Sequence, residues 1–280
     1  MPIYRERYRR REGGLDFRGR AWVVIAAFGL RALTRRRAFL FLLIVAWIPA
    51  IVRGVLMYVA ANIPQASFLA TSAQTFRDFL GQQEPFVFFI TVYAGSGLIA
   101  DDIRSNALQL YLSRPLTRTQ YAAGKFAILA TALALVTWVP AMVLLIVQVL
   151  FAGSVAFLRT NLYLLPAITL FSIVQIVVAT FIMLALSSMS KSRWFVAVMY
   201  AGISFFTHAV FGATRIATGG TAFSWISVFA NLMQVGDVIF RLRPRFTGTP
   251  AAVSAVALAI MVAASIAVLS RRIRAIEVVT

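Results

Sequence analysis

Residues 38–60 read AFLFLLIVAWIPAIVRGVLMYVA, with Arg53 as the only charge and Pro49 as the only proline. At 1.5 Å per residue a helix of this length reaches about 34 Å. The hydrocarbon core of a bilayer is about 30 Å thick. A run this long and this apolar on every side has no face for water, so it reads as a membrane span rather than as a core helix of a soluble domain. Arg35, Arg36 and Arg37 stand directly before it. Pro49 is expected to kink the span. Arg53 falls in the far part of the hydrocarbon core, where its long side chain is expected to reach outward to the headgroups.

The rest of the chain agrees with that reading. It has 280 residues, 61% hydrophobic and 13% charged, whereas a soluble domain carries about 25% charged residues. The net charge is +18. The basic residues sit in short clusters between apolar runs, which is the pattern of loops flanking a membrane and not of a nucleic-acid groove. No nucleic-acid partner is expected, and membrane lipid is. Cysteine is absent and His208 is the only histidine, so thiolate chemistry, disulfides and Cys/His metal clusters have no ligands. No catalytic, metal-binding or cofactor-binding residue is expected in this chain.

The expected fold is all-α and integral to the membrane. Residues 1–20 form a flexible basic arm and 21–37 an interfacial helix lying along the cytoplasmic face. Residues 38–270 hold six spans, at about 38–60, 85–100, 121–151, 161–187, 194–212 and 250–270. Residues 271–280 form a cytoplasmic tail. Residues 61–84 read as an external loop. Trp225, Val228, Phe229, Leu232 and Ile239 make an apolar stripe, with Asn231, Gln234 and Asp237 on or near the other side. An aspartate inside a span costs about 3 kcal/mol on insertion scales. This segment is therefore read as an external interfacial or re-entrant helix and not as a seventh span. Gln175, in the fourth span, suits a hydrogen bond between helices.

Lysine and arginine set the orientation. With the N-terminus inside, 20 fall on the cytoplasmic side, Lys191 and Arg193 among them, and 7 on the other, including Arg77 and Arg245. Both termini are then cytoplasmic. The N-terminus shows no small-residue cleavage site after a short apolar core, so no signal peptide is expected.

The connection between the second and third spans carries the chemistry. Residues 101–125 read DDIRSNALQLYLSRPLTRTQYAAGK. Two carboxylates at the end of a helix oppose its dipole, whereas at a helix start they favour it. The chain is therefore expected to stop at Ala100 and to restart at Asp102 as a short amphipathic helix, with Ile103, Ala107, Leu110 and Tyr111 on one face and Pro115 ending it. Thr117 and Gln120 have capping-box spacing for the third span. Such a unit, held between two corners, could pass a push from a partner into the spans on either side. Just before it, Ala94-Gly95-Ser96-Gly97 gives the second span a small-residue face. Ser96 and Ala100 stand at the spacing that lets helices approach closely.

This segment resembles the cytoplasmic loop of bacterial type-2 ATP-binding-cassette (ABC-2) exporter permeases. The matching residues are Asp101, Asp102 and Arg104, then Leu108, Leu110 and Leu112, then Ser113, Arg114 and Pro115, then Arg118, and last Gly124 and Lys125. Ser105-Asn106-Ala107 stands where the family usually has Gly-Thr. The interfacial helix, the external segment before the last span and, more faintly, residues 271–277 also suit the family. The resemblance implies a half-transporter of the bacterial inner membrane, multi-pass, that pairs with a second permease subunit and docks on a separate ATPase dimer. ATP and Mg would be bound there and not here. Asp101, Asp102, Arg104, Leu108, Tyr111, Arg114, Pro115, Arg118 and Lys125 would form the coupling surface. The second and fifth spans would line the path, with Gly95, Ser96 and Gly97 on it or packing beside it. Independently, the sequence contains no G-x-x-x-x-G-K-[ST] phosphate loop, so an ATP-driven motor would have to be a partner.

Two other functions compete. A secondary transporter or channel would place ionisable residues deep in the spans, and the span centres read here as almost free of acids. An intramembrane serine protease would pair Ser96, in its near-match to a Gly-x-Ser-Gly nucleophile, with His208 as base.

Overall fold

The computed structural model describes residues 21–63, 71–107, 116–151 and 161–277, with side chains described as far as Ile273. The basic arm, most of the expected coupling helix (Leu108, Tyr111, Arg114 and Pro115 included) and the last three residues lie outside the described residues. Every regular element among the described residues is helical. Six helices are long and apolar enough to cross a membrane: Arg37–Asn62, Ala73–Arg104, Arg118–Phe151, Leu164–Met189, Arg193–Thr218 and Ala251–Ile273. They are called the first to sixth spans below. Ala21–Thr34 and Val228–Ile239 are shorter apolar helices. At 12 residues the latter reaches about 18 Å, too short to cross.

The fourth span is the hub. Its most apolar stretch is 67% buried, against 17% for the first span and 22% for the fifth and sixth. It packs against the second, third, fifth and sixth spans and against Val228–Ile239. The outer spans turn most of their apolar surface away from the protein, as chains do where lipid is the solvent. One end of the bundle carries Ala21–Thr34, residues 105–107 and 116–117 and the turn at 190–192. It is called the proximal end, and the opposite end the distal end.

The second span departs most from its sequence reading. It begins at Ala73 and not near residue 85, and it runs on to Arg104. The stretch AQTFRDFLGQ is too polar to read as membrane, yet it forms a helix started by a Ser72/Thr75 capping box. Its polar groups find partners inside the bundle. Gln83 marks the joint before Glu84–Ile90, and its Nε2 donates to the Ala46 carbonyl at 3.1 Å. That carbonyl lies next to Val45, whose own carbonyl loses its helical donor to Pro49. The first span nevertheless continues past Pro49 as one helix.

Two π-helical turns, Thr91–Gly95 and Gly202–Phe206, interrupt the second and fifth spans. Such one-turn bulges occur often at functional sites. The third span is interrupted at residues 135–137, because Pro140 supplies no N–H to Val136. The Leu135 carbonyl beside this break accepts the Trp47 indole N–H at 3.0 Å.

Candidate functional site

The proximal corner is built from the end of the second span and the start of the third. The expected stop at Ala100 does not occur: Gly97–Arg104 is one helix, so Asp101 and Asp102 sit in its last turn. There they oppose the helix dipole, and neighbouring cations offset the cost. Asp102 Oδ2 accepts the Tyr121 hydroxyl at 2.7 Å and pairs with Lys125 Nζ at 2.6 Å. Lys125 is buried, so this pair is partly shielded from water. Asp101 and Arg104 make a looser contact of 3.6 Å, largely exposed, of the kind that contributes little to stability.

After Arg104 the chain turns off through Ser105 and Asn106. Ser105 N–H and Oγ both donate to the Asp101 carbonyl. Asn106 adopts φ 55°, a left-handed conformation that asparagine tolerates better than most residues. The third span then starts on the expected capping box: Thr117 Oγ1 accepts from Gln120 N at 3.3 Å, and Thr117 N donates to Gln120 Oε1 at 3.2 Å.

Gly124, next to Lys125, lets Ala21–Thr34 lie against the third span. A Cβ there would sit 2.8 Å from Ile25 Cβ and 3.2 Å from the Trp22 carbonyl. Gly29 plays the reciprocal part beneath Ile128. The Gly-Lys pair thus does two jobs in adjacent residues: one seats the amphipathic helix and the other anchors the end of the second span. A cleft of about 460 Å³ opens beside it, with Gly29, Arg36, Tyr93, Asp102, Lys125 and Arg193 among its walls.

The small-residue face behaves as its spacing predicts. Gly95 meets the third and fourth spans, since a Cβ on it would sit 2.5 Å from Met183 Cγ and 2.9 Å from Leu129 Cδ2. Ser96 and Ala100 face the fourth span through Ser187. Its hydroxyl donates to the Ser96 carbonyl at 2.9 Å and accepts the N–H groups of Ile99 and Ala100 at 3.1 and 3.0 Å. These are backbone groups beside the π turn, and one side chain engages all three. Gly97 leaves room for the Asp101 carboxylate, whose Oδ2 would be 2.5 Å from a Cβ at that position.

A second polar cluster lies at the distal end, where it brings Arg77 and Arg245, read from sequence as external charges, to Asp237 of the short external helix. Arg77 is 1% exposed. Its Nε pairs with Asp237 Oδ1 at 2.7 Å and its Nη2 donates to the Met233 carbonyl at 2.9 Å. Asp237 Oδ2 accepts the Arg245 N–H at 3.2 Å, and Arg245 Nη2 reaches Asp78 Oδ1 at 2.6 Å. Arg53 is tied to the first helix of the second span. Its Nη1 donates to the Thr75 carbonyl at 2.8 Å and its Nε to Gln82 Oε1 at 3.2 Å. Val228–Ile239 is buried on both of its sides, Val228 and Leu232 of the apolar stripe included. Asn231, Gln234 and Asp237 are buried as well, whereas Trp225, just before it, is exposed. Gln234 pairs with both backbone groups of Phe246, so the polar face organises the segment leading to the sixth span. Hydrogen bonds from Asn231 Nδ2 to the Trp225 carbonyl, from Gln234 and to Asp237 offset much of the cost of burying that face.

Gln175 makes the expected bond between helices, with its Nε2 donating to the Leu80 carbonyl at 3.2 Å. His208 Nδ1 lies 3.1 Å from Ser227 Oγ, a contact at the distal end, whereas Ser96 faces Ser187 toward the proximal end. Among the described residues no group of three or more His, Cys, Asp or Glu side chains is placed to hold a metal. No protein-family model matches the chain, and no curated relative matches it.

Proposed function

We propose that this chain is the membrane-spanning permease half of an ABC-2-type exporter, moved by an ATPase carried on a separate chain. The observation that supports this reading most is the Asp102–Tyr121–Lys125 corner. It joins the ends of the second and third spans at motif residues. Through Gly124 it also reaches the amphipathic helix before the first span. A displacement applied to the 105–117 connection would therefore reach three elements at once. The second and fifth spans carry the two π turns, and they are the spans that the resemblance assigns to the path. Exposed apolar residues of the fifth span, Trp194, Val198 and Phe206 among them, leave a face for lipid or for a second permease subunit. In this reading the termini are cytoplasmic, the membrane is the bacterial inner membrane, and ATP and Mg are held by the partner.

The test is to purify the tagged chain from its own membrane in mild detergent and to identify what accompanies it. Recovery of an ATPase with a phosphate-binding loop is expected. Repeated recovery of the chain alone after gentle cross-linking would overturn the reading.

A second reading, a gradient-driven transporter, draws support from the buried Arg77–Asp237 pair, since ionisable groups inside a bundle often mark transport pathways. It predicts transport by the chain alone in proteoliposomes under an imposed ion gradient, and the exporter reading predicts none.

A further inference from the structure

One buried carboxylate takes no part in either cluster. Glu84 opens the helix Glu84–Ile90 and is 9% exposed. Its Oε1 is enclosed and has no hydrogen-bond partner. Gln175 Oε1, on the fourth span, is likewise enclosed and without a partner. The amide orientation of Gln175 is fixed, because the Leu80 carbonyl at its other end requires the NH₂ group. Both residues line one cavity of about 30 Å³, walled also by Tyr200, Ser204 and apolar side chains such as Val178 and Leu232. That is room for one water-sized occupant.

The nearby cations are engaged elsewhere. Arg77 is held by Asp237 and the Met233 carbonyl, Arg245 by Asp78 and Asp237, and Arg53 by Thr75 and Gln82. Tyr200 is the remaining titratable side chain on the cavity wall. No ion pair to Glu84 is formed among the described residues, and Arg77 and Arg245, which act on its charge from a distance, are already engaged by Asp237 and Asp78. An isolated buried carboxylate is strongly unfavourable unless something neutralises it. A water molecule could satisfy the two oxygens but would leave the charge. A cation satisfies both requirements.

We propose that Glu84 and Gln175 form a binding site for one small monovalent cation, either a proton on the carboxyl group or a sodium-sized ion between the two oxygens. The site is the same whether an ATPase or a gradient drives the protein, so its test is separate from that of the proposed function.

The experiment uses the full chain, with any copurifying partner, in lipid nanodiscs. Infrared spectra at neutral pH are compared between wild type and Glu84→Gln for the carbonyl stretch of a neutral carboxylic acid. Melting temperature is measured in sodium chloride and in choline chloride at equal ionic strength. A carboxylic-acid band present in wild type and lost in the variant assigns the proton. A sodium-dependent rise in melting temperature, present in wild type and lost in the variant, assigns the metal ion. If Glu84→Gln does not fold, Gln175→Leu serves instead. It is expected to weaken the sodium response roughly tenfold or to shift the acid band, as loss of a hydrogen-bond partner to a charged or acidic group does. Absence of both signals in wild type, or persistence of both in the variants, overturns the proposal.

Discussion

Arg77 Nε lies 2.7 Å from Asp237 Oδ1, although 160 residues separate them and both side chains are almost fully buried. The pair ties the start of the second span to the short helix before the sixth. Removing one partner strands a charge. Arg77→Met is therefore expected to destabilise the protein by about 3–5 kcal/mol, with Arg245 Nε, 3.6 Å from Asp237 Oδ2, as the remaining cation. The double variant Arg77→Met/Asp237→Leu replaces both ions with apolar groups and should recover most of that loss. Unfolding of the four proteins in one detergent completes a double-mutant cycle. Additive effects of the two substitutions would contradict a direct pair.

Gly95 sets the distance between the second, third and fourth spans. Gly95→Val would drive its side chain into Met183 and Leu129, at an expected cost of about 1–3 kcal/mol for overpacking. Met183→Ala in the same chain should relieve part of it, because Met183 Cγ is the nearest obstacle. A melting temperature for Gly95→Val equal to that of wild type would rule out so close an approach.

Ser187 acts on the backbone and not on a side chain. Ser187→Ala leaves the Ile99 and Ala100 N–H groups and the Ser96 carbonyl without their partner, for an expected loss of about 1–3 kcal/mol. The local signature is sharper than the global one. Hydrogen exchange at Ile99 and Ala100 should accelerate in the variant, while exchange in the sixth span stays as it was.

Five of the spans were legible because each is a long run with little polar interruption, and length against bilayer thickness decides such cases. The start of the second, AQTFRDFLGQ, was not, because its polar groups find their partners elsewhere in the bundle. The capping box at Thr117 and the close approach at Ser96 were legible too, since both depend on spacing within one helix. Arg77 and Asp237 were not. Taken singly, Arg77 is a charge in a polar stretch and Asp237 one on a short apolar helix, and what makes them structural is a partner far along the chain. Asp237 did carry a signal, because its cost inside a membrane calls for a cation, but several arginines could have supplied it. The end of the second span misled for a related reason. The dipole argument at Asp101 and Asp102 was sound locally, and Lys125 and Tyr121 of the next span overrode it.

Arg104 separates coupling from folding. Its side chain is 66% exposed and its one ion pair among the described residues is the loose one with Asp101, so Arg104→Ala should leave the melting temperature nearly unchanged. Lys125→Met should not, since it removes the partner of a part-buried Asp102 carboxylate at 2.6 Å, with an expected cost of about 1.5–3 kcal/mol. If the proposed function is right, Arg104→Ala, and Arg118→Ala beside it in the motif, would uncouple the system. The partner ATPase would keep hydrolysing ATP while transport fell by roughly tenfold or more, which corresponds to about 1.4 kcal/mol of lost coupling. Reconstituted complexes in proteoliposomes give both rates from one sample. Transport per ATP equal to wild type in both variants would remove these arginines from the coupling surface. A parallel fall in ATPase and transport would instead indicate that the two chains no longer dock.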